Sequence, residues 1–153
     1  MSETDPIQTG TCLCGAVTVR VTGPPLLTVA CHCRGCQKFS ASAFSLTSMF
    51  HKDAIKISGQ VQRGGLKTEG REHFFCCSCL NFVYSKLAVA RDRINLRSSI
   101  LNDSTVYAPF VDIMTEEKQD WVPLTAPHRF ARFPQSAAEL QNLMNDFENQ
   151  RLG

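Results

Sequence analysis

Between residues 16 and 23, in AVTVRVTG, apolar and polar positions alternate, so Val17, Val19 and Val21 fall on one side of an extended chain. The pattern predicts a half-buried strand ending at the turn Gly23-Pro24-Pro25. LLTVA (26–30) predicts a second strand that runs straight into Cys31. Further strands are predicted at 42–50 (SAFSLTSMF), 54–58 (AIKIS), 73–75 (HFF), 82–90 (FVYSKLAVA) and 93–97 (RINLR). Glycine turns at Gly59, Gly64-Gly65 and Gly70 separate several of them. Short strands at regular intervals with glycine turns predict a mostly β domain built from small antiparallel sheets.

Only the C-terminus carries helical periodicity. Ser136 with Glu139 three residues on is a capping box, and Leu140, Leu143, Met144 and Phe147 follow at i, i+3, i+4 and i+7. This stripe is a packing face. It covers either the domain's own sheet or a second subunit, and the latter would make the chain a homodimer. The pattern divides the chain into a flexible tail over residues 1–9, a domain over 10–134 and a C-terminal helical extension over 135–153.

With 153 residues the chain can bury a real core, and 43% hydrophobic with 20% charged residues fits a folded globular protein. Formal net charge is +2 and no block of five like charges occurs, so no polyanion, nucleic acid included, is demanded as a partner. The opening MSETDPIQTG lacks the basic region and apolar core of a signal peptide, and no apolar run approaches the ~20 residues of a membrane helix. A cytoplasmic location is expected.

A reducing compartment changes the meaning of the eight cysteines, because thiols there bind metal or do chemistry rather than form a disulfide framework. They come in three groups: Cys12 and Cys14 in GTCLCG; Cys31, Cys33 and Cys36 in CHCRGC; Cys76, Cys77 and Cys79 in FFCCSC. Each is expected at the end of a strand, where a turn lets thiolates converge on an ion, with Gly15 and Gly35 supplying backbone freedom. With Cys77 set aside, the rest divide as four plus three. Cys12, Cys14, Cys76 and Cys79 would close a structural zinc site, whereas Cys31, Cys33 and Cys36 would leave a zinc with one open position. Two alternatives keep their place: Cys77 completing the second site, or Cys77 replacing Cys76 in the first. The former is disfavoured because adjacent residues on a strand point to opposite faces, the latter because Cys76 and Cys79 have C-x-x-C spacing. His32, between two cysteines of the trio, is expected to point away from their metal.

GTCLCGAVTV, CHCRGCQKFSASAF, GREHFFCCSCLNFVY and INLRSSILND, in that order over about residues 9–133, resemble the glutathione-dependent formaldehyde-activating enzymes and their relatives around centromere protein V. The resemblance implies the zinc-bearing β-tent fold. It also implies a structural zinc on Cys12, Cys14, Cys76 and Cys79 and a catalytic zinc on Cys31, Cys33 and Cys36, two per chain. The implied activity is condensation of formaldehyde with glutathione to S-(hydroxymethyl)glutathione, carbon–sulfur lyase chemistry in reverse. Leu80 stands where the family commonly has glycine, and Asp112 where it often has histidine. The catalytic residues expected are Cys31, Cys33 and Cys36, with a small thiol such as glutathione as partner. Arg34 and Lys38 are candidates for its carboxylates, although ordinary solvated charge is the favoured reading of each. His73 and Trp121 are expected only as packing or pocket-wall residues. The competing functions are a non-catalytic zinc-stabilised binding module and a redox sensor acting through Cys77.

Overall fold

The computed structural model describes residues 5–153, which form eleven strands, two α-helices and three short 3₁₀ turns. The strands fall into two sheets. The smaller contains β1 (Ile7–Thr11), β2 (Thr18–Thr22) and β5 (Ile55–Ser58), antiparallel in the order β1-β2-β5. The alternation that predicted β2 places Val17, Val19 and Val21 in the core at no more than 2% exposure. β1 corrects the expectation of a flexible tail, at least over Ile7–Thr9; residues 1–4 lie outside the described residues. IQTGT has no hydrophobic alternation to give it away. It is a strand because it pairs with β2 from Ile7↔Thr22 to Thr11↔Thr18 and because Gly10 bridges to Leu101.

Gly10 has no room for a side chain: a Cβ there would sit 1.9 Å from the Ile100 carbonyl oxygen. Backbone cannot yield as a side chain can, so Gly10→Ala is expected to destabilise by roughly 3 kcal/mol or more, measured by urea denaturation.

The larger sheet has eight strands in the order β11-β10-β3-β4-β9-β8-β7-β6. Its centre is β3 (Leu27–Cys31), β4 (Ser45–His51), β9 (Arg93–Arg97) and β8 (Phe82–Leu87), all antiparallel neighbours. β7 (Arg71–Cys76) and β6 (Val61–Gly64) continue it antiparallel on one side, while β10 (Val111–Ile113) and β11 (His128–Arg129) lie parallel to β3 on the other. Among the described residues no helix is long and apolar enough to cross a membrane.

Period two sorts the two faces of this sheet. Phe50 and Leu96, fully buried, join the valines of β2 in the core between the sheets. Burying Phe50 alone contributes roughly 1.5–3 kcal/mol. The opposite face carries α2 (Ala137–Leu152), whose Leu143 and Met144 pack with Leu27, Met49, Phe110 and Val111. The predicted helical stripe therefore covers the domain's own sheet. Its cap is as expected at Ser136, which accepts from the Glu139 N–H at 3.1 Å; Glu139 in turn accepts from the Gln135 N–H at 2.6 Å. α1 (Arg34–Ser40) has no counterpart in the predicted elements, since RGCQKFS has neither an apolar stripe nor a break-free run.

Candidate metal centre

The first cluster joins two turns far apart in sequence. Cys12 follows β1, and Gly15 at φ +81° turns the chain back toward β2. Cys76 ends β7, and Leu80 turns the chain into β8. The four sulfurs of Cys12, Cys14, Cys76 and Cys79 all lie within 4.8 Å of one another. Cys12 to Cys14 is 3.7 Å and Cys14 to Cys76 is 3.8 Å. With Zn–S bonds of ~2.3 Å, a tetrahedron has an edge of ~3.8 Å, so the sulfurs are spaced to share one zinc ion. Backbone donors aim at them: Val17 N–H at Cys12 Sγ (3.2 Å) and Ser78 N–H at Cys76 Sγ (3.4 Å). Such donors steady a thiolate. Burial raises the Cys12 thiol, but the Val17 N–H and the neighbouring cysteines outweigh it and draw it down to about 6. Cys77 takes no part. It is exposed, as the opposite orientation of adjacent strand residues requires, and its N–H bonds the Gln60 carbonyl.

Leu80 adopts φ +59°, a left-handed conformation in which a Cβ is crowded. Its side chain is largely exposed and contributes little packing. The strain of ~1–2 kcal/mol exceeds the extra flexibility glycine gives the unfolded chain, ~0.5–1 kcal/mol. Leu80→Gly is therefore expected to stabilise the protein by about 0.5–1 kcal/mol in denaturant titration.

The second cluster is local. Cys31 ends β3, Cys33 caps α1 and Cys36 lies in its first turn. Their sulfurs are also within 4.8 Å of one another, and Cys33 Sγ accepts the Cys36 N–H at 3.3 Å. Thus a short helix, rather than the simple turn expected, presents two of the three thiols. Gly35 is helical, so the conformational freedom expected of it is not used. Its role is steric: a Cβ would meet Leu66 Cδ1 at 2.5 Å. The crowded thiols divide their charge unevenly. Cys31 and Cys36 hold Cys33 far below the ordinary thiol range, while Cys33 and Cys36 push Cys31 far above it. For all three to be thiolates at once a cation must share their charge, a part that a metal ion would suit. Among the described residues no fourth histidine, cysteine or carboxylate joins them.

His32 points away from the trio, as expected, and is buried. Its Nε2 lies 2.8 Å from Asp112 Oδ1, and Asp112 Oδ2 accepts the Ala126 N–H at 3.2 Å. Gln37 adds two bonds, to the carbonyls of His32 (2.7 Å) and Glu117 (3.0 Å). Together they tie the cysteine-bearing segment to β10 and the chain after it.

Beside the trio, on the α2 side of the large sheet, lies a cavity of about 540 Å³. Alternate residues of successive strands line it: Leu27, Val29 and Cys31 of β3, Ser45, Thr47 and Met49 of β4, Arg93, Asn95 and Arg97 of β9. Phe133, Leu140 and Leu143 close the far side. Arg97 is buried, with Nη1 donating to Thr47 Oγ1 at 2.7 Å and the guanidinium 4.9 Å from the centre of the Phe82 ring. Burial draws it down to about 10, countered by the sulfurs of Cys36 and Cys31, so it stays cationic at neutral pH. His73 is 5% exposed, sits between Phe39 and Phe82, and has no hydrogen-bond partner on either ring nitrogen among the described residues. Burial and the charges of Arg71 and Arg97 lower it, favouring the neutral imidazole. Ser45, fully buried, stands next to the Cys36 sulfur.

Arg34 and Lys38 are not brought to this cavity; both are exposed on α1. Trp121 is exposed and stands away from it. Arg97, Ser45 and Arg71 are cavity residues that sequence reasoning missed, and His73 it placed only as wall. The one available signal was the period-two pattern, which puts Ser45 on the same side of β4 as Met49.

Fold and site together define a mostly β protein with two cysteine clusters suited to metal, one of four sulfurs and one of three. The family model described as glutathione-dependent formaldehyde-activating enzyme matches residues 7–117, and the chain belongs to that family. It is 27% identical over 144 residues to a Halomonas elongata protein named "Putative glutathione-dependent formaldehyde-activating enzyme", covering 85% of this chain and 91% of that relative. The fold is also that of a crystal structure of a Rhodobacter sphaeroides protein, at TM-score 0.51 and 19% identity over 62% of this chain and 88% of that one.

Proposed function

We propose that this protein is a zinc-dependent enzyme of the carbon–sulfur lyase type, forming or cleaving the hemithioacetal of a small thiol. Glutathione and formaldehyde are the pair that the family's name supplies. In the forward direction a sulfur–carbon bond forms, the carbonyl π bond opens, and the thiol proton ends on the new hydroxyl. Electron count does not change. The observation that carries this reading is the trio itself: three converging sulfurs beside a cavity, with no fourth protein ligand among the described residues. The four-sulfur cluster has the full ligand set of a structural zinc.

Zinc held by Cys31, Cys33 and Cys36 would supply a Lewis acid that favours the thiolate of an incoming thiol. The chain's own residues do the rest. The cavity wall holds the carbonyl compound beside the sulfur. Arg97 provides a fixed positive charge for the oxygen as it becomes an alkoxide. His73, neutral and unpaired, can take up the thiol's proton as the thiolate forms and then, as imidazolium, pass a proton to that oxygen. Eight free cysteines fit a reducing compartment such as the cytoplasm.

Metal-free protein titrated with zinc under reducing conditions is expected to bind two ions per chain. Exchange spectroscopy with ¹³C-formaldehyde and glutathione is then expected to show faster formation of the hydroxymethyl adduct with the loaded protein. An unchanged exchange rate at two bound ions would overturn the proposal.

A further inference from the structure

The cavity beside the trio does not end at its apolar wall. Arg71, Leu87 and Arg93 line it and also line a separate groove of about 610 Å³. Arg71 and Leu87 are cross-strand partners on β7 and β8, so the two spaces meet across one rung of the sheet. The groove gathers Lys52, Arg63, Arg71, Lys86, Arg91 and Arg93, with Glu72 the only carboxylate in its lining. Glu72 is already paired, to Arg63 at 2.6 Å. Inside the cavity the charges are Arg71, Arg93 and Arg97, and among the described residues no Asp or Glu lines it.

Sulfur-binding trio, apolar passage and cationic groove are therefore consecutive. An overall charge of +2 conceals this, because the six cations come from five separated stretches of chain. A ligand matched to the series has a thiol at one end, an apolar middle and an anionic head. A cationic group on it would meet only Glu72, already paired to Arg63, and Asp92, 3.6 Å from Arg93 Nε. The wall contributed by Phe133, Leu140 and Leu143 lies beyond the residues that the family model matches, so this passage is shaped by the chain's own C-terminal part.

From this continuity we infer that the natural substrate is a thiol, or its aldehyde adduct, with an apolar stem and an anionic head seated in the groove at Arg71, Lys86, Arg91 and Arg93. The inference rests on the trio being the thiol-binding end. It narrows the substrate class from small thiols in general to anion-headed ones with an apolar spacer.

Calorimetry on zinc-loaded full-length protein tests it with a matched set of probes: 6-mercaptohexyl phosphate, 6-mercaptohexanoate, 6-mercaptohexanol, 6-aminohexanethiol and glutathione. The two anionic thiols are expected to bind tightest, the amine weakest, and comparison of phosphate with carboxylate identifies the head. Lys86→Gln combined with Arg91→Gln, both exposed, is expected to weaken the anionic thiols roughly fivefold, as two exposed charge pairs imply, and to leave 6-mercaptohexanol unchanged. Equal binding of the alcohol and the anions, or no selective loss in the double variant, overturns the inference. Hexyl phosphate, which has no sulfur, separates the two layers. If it binds, is weakened by the double variant, and no thiol surpasses it, the groove stands and the thiol role of the trio fails. If thiols bind and their affinity ignores the head group, the trio's role stands and the groove fails.

Discussion

Cys76→Ser is expected to lose one zinc per chain and to lower the unfolding midpoint by roughly 8–16 °C. Cys76 is fully enclosed, accepts the Ser78 N–H on its sulfur, and belongs to the cluster that joins the β1–β2 turn to the β7–β8 turn. A structural zinc in a small domain contributes roughly 10–16 kcal/mol to folding. Losing one thiolate of four forfeits a substantial part of that, about 4 kcal/mol at least. For a domain of this size each kcal/mol moves the midpoint by ~2–4 °C. Metal analysis together with a thermal melt followed by circular dichroism checks it. An unchanged melt with one zinc fewer would show that the four sulfurs do not brace the fold.

Cys33→Ala is expected to produce the opposite division: one zinc lost, the fold kept, the chemistry gone. Cys33 is only half-buried and the trio is local, so its loss disconnects no distant elements. The structural cost is that of an N-cap on a seven-residue helix, about 1 kcal/mol, hence a few degrees. Acceleration of adduct formation is expected to fall by roughly 10³-fold, the rate equivalent of several kcal/mol of transition-state stabilisation. If this variant unfolds as readily as Cys76→Ser, both clusters are braces and the enzymatic proposal fails.

The difference between these variants follows from a division of cysteines that is legible in the sequence, because C-x-C and C-x-x-C spacings constrain sulfurs before any fold is known. Arg93–Arg97 forms the strand that its pattern predicts, and α2 begins at its predicted cap. Where tertiary packing overrides local pattern, the sequence is silent. IQTGT becomes β1 through its partner β2 and the close approach of Gly10 to Ile100. RGCQKFS becomes α1 while Cys33 caps it and Gln37 ties it to His32 and Glu117. The cationic groove is invisible for a plainer reason: each arginine or lysine in it looks like ordinary solvated charge until β6–β9 are laid side by side.

His32 and Asp112 show the same limit at the site. One lies between two cysteines and the other eighty positions later, yet they form a buried pair that fixes the trio against β10. A neighbouring charge pattern could not reveal it, since neither residue has a local partner.

Phe133 and the α2 leucines form the far wall of the cavity while every cysteine of both clusters lies upstream, so one wall and all the sulfurs are encoded in separate stretches of this chain. Grafting a different tail after Arg132 would thus retune which molecules gain entry without altering one sulfur. Only the wall facing α2 is interchangeable; the arginines and lysines of the groove stay with the upstream chain.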